Sequence, residues 1–170
     1  ATRHIEIDGD DLHVAKVEIR SGNKMILATY REKDDDGHAS IDAPLSIPAG
    51  RATLIFSYDA AIHNSVEGLY HASADNRWYA WTQFEPRSAR RVFPSFDRPR
   101  YKVPFTISVA TSPKLEVVSN APEQSTSTEG ALVRHHFVAT APLPTYLIAL
   151  AVGPFRLSST TIAPNHVRSA

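Results

Sequence analysis

Two polar side chains stand out in the stretch "WYAWTQFEPRSARRVFPSFDRP": Gln83 and Glu85, two residues apart and followed at once by Pro86. If residues 78–85 form a strand, successive side chains point to opposite faces. Trp78, Ala80, Thr82 and Phe84 then share a face suited to a core, and Tyr79, Trp81, Gln83 and Glu85 share the other. That second face has aromatic walls, an amide and a carboxylate. Pro86 has no N–H to give to a ladder, so the strand is expected to stop there. A carboxylate beside an amide at a strand end suits a small cationic group such as an amine. The acid accepts charge-assisted hydrogen bonds and the amide orients the bound group. The plainer account is an edge strand with a solvated polar face.

Other groupings invite chemistry less strongly. Asp34, Asp35, Asp36 and Gly37 suggest a calcium loop, but an EF-hand needs a bidentate Glu at its twelfth position, and counting from Glu32 puts Ala43 there. An acidic hairpin turn accounts for the run, since Asp and Gly are turn formers. His135 and His136 are adjacent in an expected strand, so their rings should leave opposite faces and one metal cannot readily take both. Arg87, Arg90, Arg91, Arg98, Arg100 and Lys102 form a local basic cluster. Structural pairing with Glu85, Asp97 and other carboxylates explains it better than nucleic acid does. No H-E-x-x-H, G-x-S-x-G or phosphate-binding loop occurs in the 170 residues.

Composition agrees with this. Eighteen basic and eighteen acidic residues cancel, so no net field recruits nucleic acid or an anionic membrane. No apolar run approaches a membrane span. The absence of Cys excludes disulfides, thiolate zinc sites and Cys nucleophiles within this sequence. The chain lacks an initiator Met, so Ala1 is expected to mark a processed or excised chain.

The elements that must position Gln83 and Glu85 read as short strands separated by turns. Strands are expected near 4–8, 12–20, 24–31, 51–59, 78–85, 102–110, 115–119, 132–139 and 145–152. Phe105, Ile107 and Val109 alternate onto one face, as do Leu54, Phe56 and Tyr58. "TYLIALAVG" is nearly all apolar and is expected to be buried on both faces. "SNAPEQSTSTEG" reads as polar punctuation, and only "SARR" as a helical turn. The fold class is therefore all-β, a saddle-like or sandwich arrangement of mostly antiparallel sheets with little helix.

The segment "GLYHASADNRWYAWTQFEPRSARRVFPSFDRPRYKVPFTISV" resembles the N-terminal domain of the zinc aminopeptidase N family, the gluzincin aminopeptidases. That family's run reads G-L-Y, T-Q-F-E-P, A-R-R-x-F-P-x-F-D-E-P and K-x-x-F-T. "TAPLPTYLIALAVGPF" is similar to its buried strand T-P-x-M-S-T-Y-L-x-A-x-x-x-G-x-F. The resemblance covers residues 68–155 closely, and "RHIEIDGDDLHVAKVEI" more loosely. Arg98 stands where the family has an acid after the Asp of F-D-E-P, which implies an altered local salt bridge.

The resemblance implies that residues 1–157 are an aminopeptidase N-terminal β domain lacking its first strands, with 158–170 a linker toward a catalytic domain. Missing strands would expose a sheet edge and favour edge-to-edge self-association. It implies further that Gln83 and Glu85 bind substrate, Glu85 holding the α-ammonium of a peptide N-terminus and Gln83 lining the pocket for the first side chain. Zinc would act in the full-length enzyme. No cofactor is expected in this chain, which should be inactive alone. A second expectation is a non-catalytic β-sandwich protein-interaction module acting through a sheet edge or its basic cluster.

Overall fold

The computed structural model describes residues 1–158; apart from Ser158, the expected linker lies outside the described residues. Twelve strands form three sheets, every strand pair within them antiparallel. The all-β expectation holds, with two short 3₁₀ turns, Ala89–Arg91 and Thr145–Leu147, as the helical content of the described residues.

The first sheet contains β1 (Thr2–Asp8), β2 (Leu12–Ser21), β3 (Lys24–Glu32), β4 (His38–Ile47) and β5 (Thr53–Ala60), in the order β1-β4-β3-β2-β5. Its inner face is aliphatic: Ile7, Val17, Ile19, Ile26, Ala39, Ile41 and Ile47 are buried together, with Leu54 and Phe56 packed against them. β-Branched residues dominate because they fit a pleated, covered surface. Burying side chains of this size stabilises by about 1.5–3 kcal/mol each.

The second sheet, β6 (Gly68–Ala74), β7 (Arg77–Gln83), β12 (Leu150–Gly153) and β9 (Glu116–Ser119), runs in the order β6-β7-β12-β9 and carries the candidate residues. β6 and β7 are a hairpin closing at Ala74 and Arg77. The two turn residues, Asp75 and Asn76, have φ of 50° and 58°. Two left-handed residues in succession match the twist of a two-residue hairpin, and Asp and Asn tolerate that region. The third sheet is β10 (Glu123–Glu129), β11 (Leu132–Phe137) and β8 (Ser108–Thr111). Phe84, Ala89 and Ile148 form a second core, with Val92, Phe93, Phe105 and Ile107 against it.

Several expectations need correction. "TYLIALAVG" is not one strand buried on both faces: it begins as the 3₁₀ turn, Leu147 and Ala149 are exposed, and only its end joins the ladder as β12. The polar run "SNAPEQSTSTEG" contains β10, every residue of which is exposed. Backbone pairing with β11 organises it without any buried side chain. β4 and β6 have no counterpart among the expected strands. In β4 the alternation is diluted by small residues and Pro44, which lies where the pairing with β1 shifts register, a position that tolerates a missing N–H. The expected strand 102–110 is regular only from Ser108. Phe105, Ile107 and Val109 nonetheless share the half-buried side, and Phe105 and Ile107 give their carbonyls to Thr140 and Phe137.

On the outer face of the first sheet, His4 bridges two carboxylates: Nδ1 to Asp42 at 2.7 Å, and Nε2 to Glu6. These bonds, Asp42's first, raise the His4 pKa above its ordinary 6.5. Because the folded value exceeds the unfolded one, the stabilisation is complete below pH 6.5 and disappears as pH rises through the folded pKa. An NMR titration of His4 is expected to give a midpoint above 6.5 that falls back toward it in Asp42→Asn.

Candidate functional site

Gln83 is the last residue of β7, opposite Gly68 of β6. Phe84, next in sequence, points inward and is 2% exposed, packed edge-on against Phe93 at 5.8 Å between ring centres. Glu85 is exposed again, as Gln83 is. The alternation of the strand thus continues past its formal end, and the buried Phe84 anchors the two polar neighbours to the outer side. The chain then turns: Glu85–Pro86 is cis, and Ser88 N donates to Phe84 O at 2.7 Å.

The same outer side of β7 carries Tyr79 and Trp81. Phe155 lies against both, at 5.1 Å and 5.3 Å between ring centres. Gly153 makes room for Tyr79: a Cβ there would fall 2.3 Å from Tyr79 Cδ1, so only glycine permits this approach. On the inner side the expected core face is only partly a core. Thr82 is half-buried and its Oγ1 accepts from Leu150 N at 2.8 Å, tying β7 to β12. Trp78, expected inside, is 63% exposed because it sits beside the hairpin turn, opposite Ser73, with the His71 ring edge-on to it. An apolar cavity of about 280 Å³ lies on the inner side, walled by Leu69, Phe84, Phe93, Phe105 and Ile107 among others.

The turn after Glu85 is fixed by Arg90, a cation only 5% exposed. Its Nε donates to Asp97 Oδ2 at 3.1 Å, Nη2 to Asp97 O at 3.1 Å, and Nη1 to Asp36 O at 2.8 Å. Asp8 Oδ1 lies 3.6 Å from Nη1. The two acids are themselves held: Asp97 N donates to Asp8 Oδ2 at 2.9 Å, and Thr145 Oγ1 donates to Asp97 Oδ1. Asp8 ends β1, and Asp36 lies in the β3–β4 turn, so one guanidinium joins the first sheet to the segment beside Glu85. Gly37 is required at that turn, with φ of 75° and a notional Cβ 2.5 Å from Arg90 Cδ. Arg91 pairs with Glu67 at 2.8 Å and Asp10 at 3.5 Å. Arg98 reaches Asp8 at 3.8 Å.

Structural pairing therefore accounts for Arg90 and Arg91, but not through Glu85. Among the described residues their carboxylates are Asp8, Asp10, Glu67 and Asp97. The role of Asp8 was not visible in the sequence: nothing in "EIDGD" distinguishes a buried acid from a turn residue. His135 and His136 do point apart. His135 is buried with Nδ1 2.6 Å from Glu123 Oε2, and His136 lies between the hydroxyls of Ser108 and Ser127. Among the described residues, the one acid–histidine group able to share an ion is Asp34, Asp36 and His38. Asp34 Oδ1 there accepts the N–H groups of Asp36 and His38, which is turn architecture. One histidine and two exposed acids do not fit a catalytic zinc site, which takes three firmly held ligands.

The description peptidase M1 N-terminal domain matches residues 1–147. The chain belongs to the family of M1 peptidase N-terminal domains. This M1 domain is 30% identical over 161 residues to the aminopeptidase N of Acetobacter pasteurianus, covering 91% of this chain and 44% of that protein. It is 30% identical over 166 residues to endoplasmic reticulum aminopeptidase 1 of Rattus norvegicus, covering 91% of this chain and 18% of that protein. It is 31% identical over 113 residues to aminopeptidase M1-A of Oryza sativa subsp. japonica, covering 64% and 13%. The M1 domain thus spans less than half the length of these relatives.

Removing one member of a buried ion pair leaves an uncompensated charge. Arg90→Ala or Asp97→Ala is expected to lower the unfolding free energy by about 3–5 kcal/mol in denaturant titrations. Arg91→Ala, whose closer partner Glu67 faces water, is expected to cost about 1 kcal/mol.

Proposed function

We propose that this chain is the substrate-recognition and scaffold domain of a zinc aminopeptidase, an enzyme that removes N-terminal residues from peptides. One observation carries the proposal: Gln83 and Glu85 stand exposed on the same side of a strand end, with the buried Phe84 between them. Family membership and the aminopeptidase names of the relatives support it. In this proposal zinc and the hydrolytic machinery belong to a part of the protein beyond these 170 residues.

An aminopeptidase must recognise a free chain end, and a carboxylate set to meet an ammonium does that. Glu85 accepts charge-assisted hydrogen bonds from the peptide's α-ammonium, and Gln83 orients the first residue with its amide. At 4 Å and an effective dielectric near 20, such a pair has about 4 kcal/mol of Coulomb attraction. Open to water, it nets about 0–1 kcal/mol. Glu85 therefore discriminates strongly only when a second surface closes over it and excludes solvent.

Two measurements test this. In the longer protein, Glu85→Ala is expected to raise KM for free-amine aminoacyl substrates about 10–100-fold, the scale of a hydrogen bond to a charged group. The affinity of inhibitors lacking the amine, and the zinc content, should not change. An unchanged KM would remove Glu85 from the site. The 170-residue chain alone is expected to bind amino-acid amides no more tightly than about millimolar and to cleave no peptide. Zinc-dependent cleavage by that chain would refute the division of labour.

A further inference from the structure

We infer that Trp81 determines which first side chain is preferred, acting as an aromatic platform one side-chain step along the strand from Gln83. The inference rests on the reading of Gln83 and Glu85 as the binding pair and adds a substrate preference to it. Trp81 and Gln83 are alternate residues of one regular strand, so their side chains leave the same face about 7 Å apart. Trp81 is 37% exposed. An indole left more than a third exposed beside a polar pair retains apolar area that a ligand can cover.

The indole is also held in place rather than free to sink. Its cross-strand partners are Tyr70 of β6 and Ala151 of β12. The alanine across the strand pair adds only a methyl group beside the ring. Phe155 packs against the indole near-perpendicularly, at 71° between ring planes, and Trp81 stays 37% exposed. Tyr79 extends the aromatic surface one step further, packed against the same Phe155. A fixed aromatic surface has little conformational entropy to lose when it binds.

A peptide whose ammonium meets Glu85 has its first side chain beside Gln83. A short side chain, as in alanine, ends there. A long or aromatic one reaches the next position on the face, which is Trp81, and covers the indole. The ligand class is therefore a peptide with a large apolar or aromatic first residue, and the preference arises on this domain.

The test uses the longer enzyme and matched aminoacyl substrates that differ only in the first residue, alanine against phenylalanine. Trp81→Ala is expected to lower kcat/KM for the phenylalanine substrate about tenfold or more while leaving the alanine substrate little changed, in line with the selectivity that apolar contacts supply. Trp81→Phe keeps a ring at the site and should restore most of the preference, with melting temperatures of both variants recorded to exclude misfolding. An equal loss for both substrates, or no loss for either, overturns the platform. Glu85→Ala, assayed in parallel, separates the failures. If it raises KM for both substrates while Trp81→Ala alters no ratio, the binding pair stands and the platform falls. If Glu85→Ala alters nothing, both fall.

Discussion

Arg90 is the constraint on which the arrangement depends. A guanidinium removed from water carries a desolvation cost of several kcal/mol, and only close, well-directed acceptors offset it. Its partners are dispersed along the chain: the Asp36 carbonyl in the β3–β4 turn and Asp97 beyond the 3₁₀ turn accept its hydrogen bonds, and the Asp8 carboxylate at the end of β1 lies 3.6 Å away. Satisfying the charge therefore requires the first sheet and the segment after β7 to be correctly placed together. Whatever fixes Arg90 also fixes the backbone that leaves Glu85.

This explains why the candidate site can be exposed without being loose. Gln83 and Glu85 lie on the surface, yet the residue between them is in the second core and the turn after them is held by Arg90. Thr82 contributes from the other direction by accepting from the β12 backbone. The recognition role proposed for Gln83 and Glu85 would need this rigidity, because a mobile carboxylate would lose in entropy what it gained in charge pairing. The aromatic residues along the outer face of β7 are held in the same manner, through Gly153 and Phe155.

Much of this was legible in the sequence, for identifiable reasons. Strands whose alternation is written in large side chains, such as β2 and β5, were found within a residue or two of their ends. The polar-pair face was found because Pro86 and the flanking aromatics set its phase. β4 escaped because Ala39, Ser40 and Ala43 blur its period, and β10 because its pairing is a property of the backbone. Trp78 was misplaced because periodicity assigns a face but does not say how far along the strand that face is covered. Asp8 and Asp36 could not have been assigned to Arg90, since their encounter depends on the fold and not on local spacing.

β10 has a different consequence. Its seven residues contribute no side chain to either core; backbone bonds to β11 hold it in place, joined by side-chain bonds from Glu123 to His135, Ser127 to His136 and Glu129 to Arg134. Selection on packing therefore has little purchase there. Among related chains the positions of this strand other than Glu123, Ser127 and Glu129 should drift freely in residue identity, and its hairpin should accept lengthening, while Phe84 and Arg90 at the opposite extreme would change only together with their surroundings.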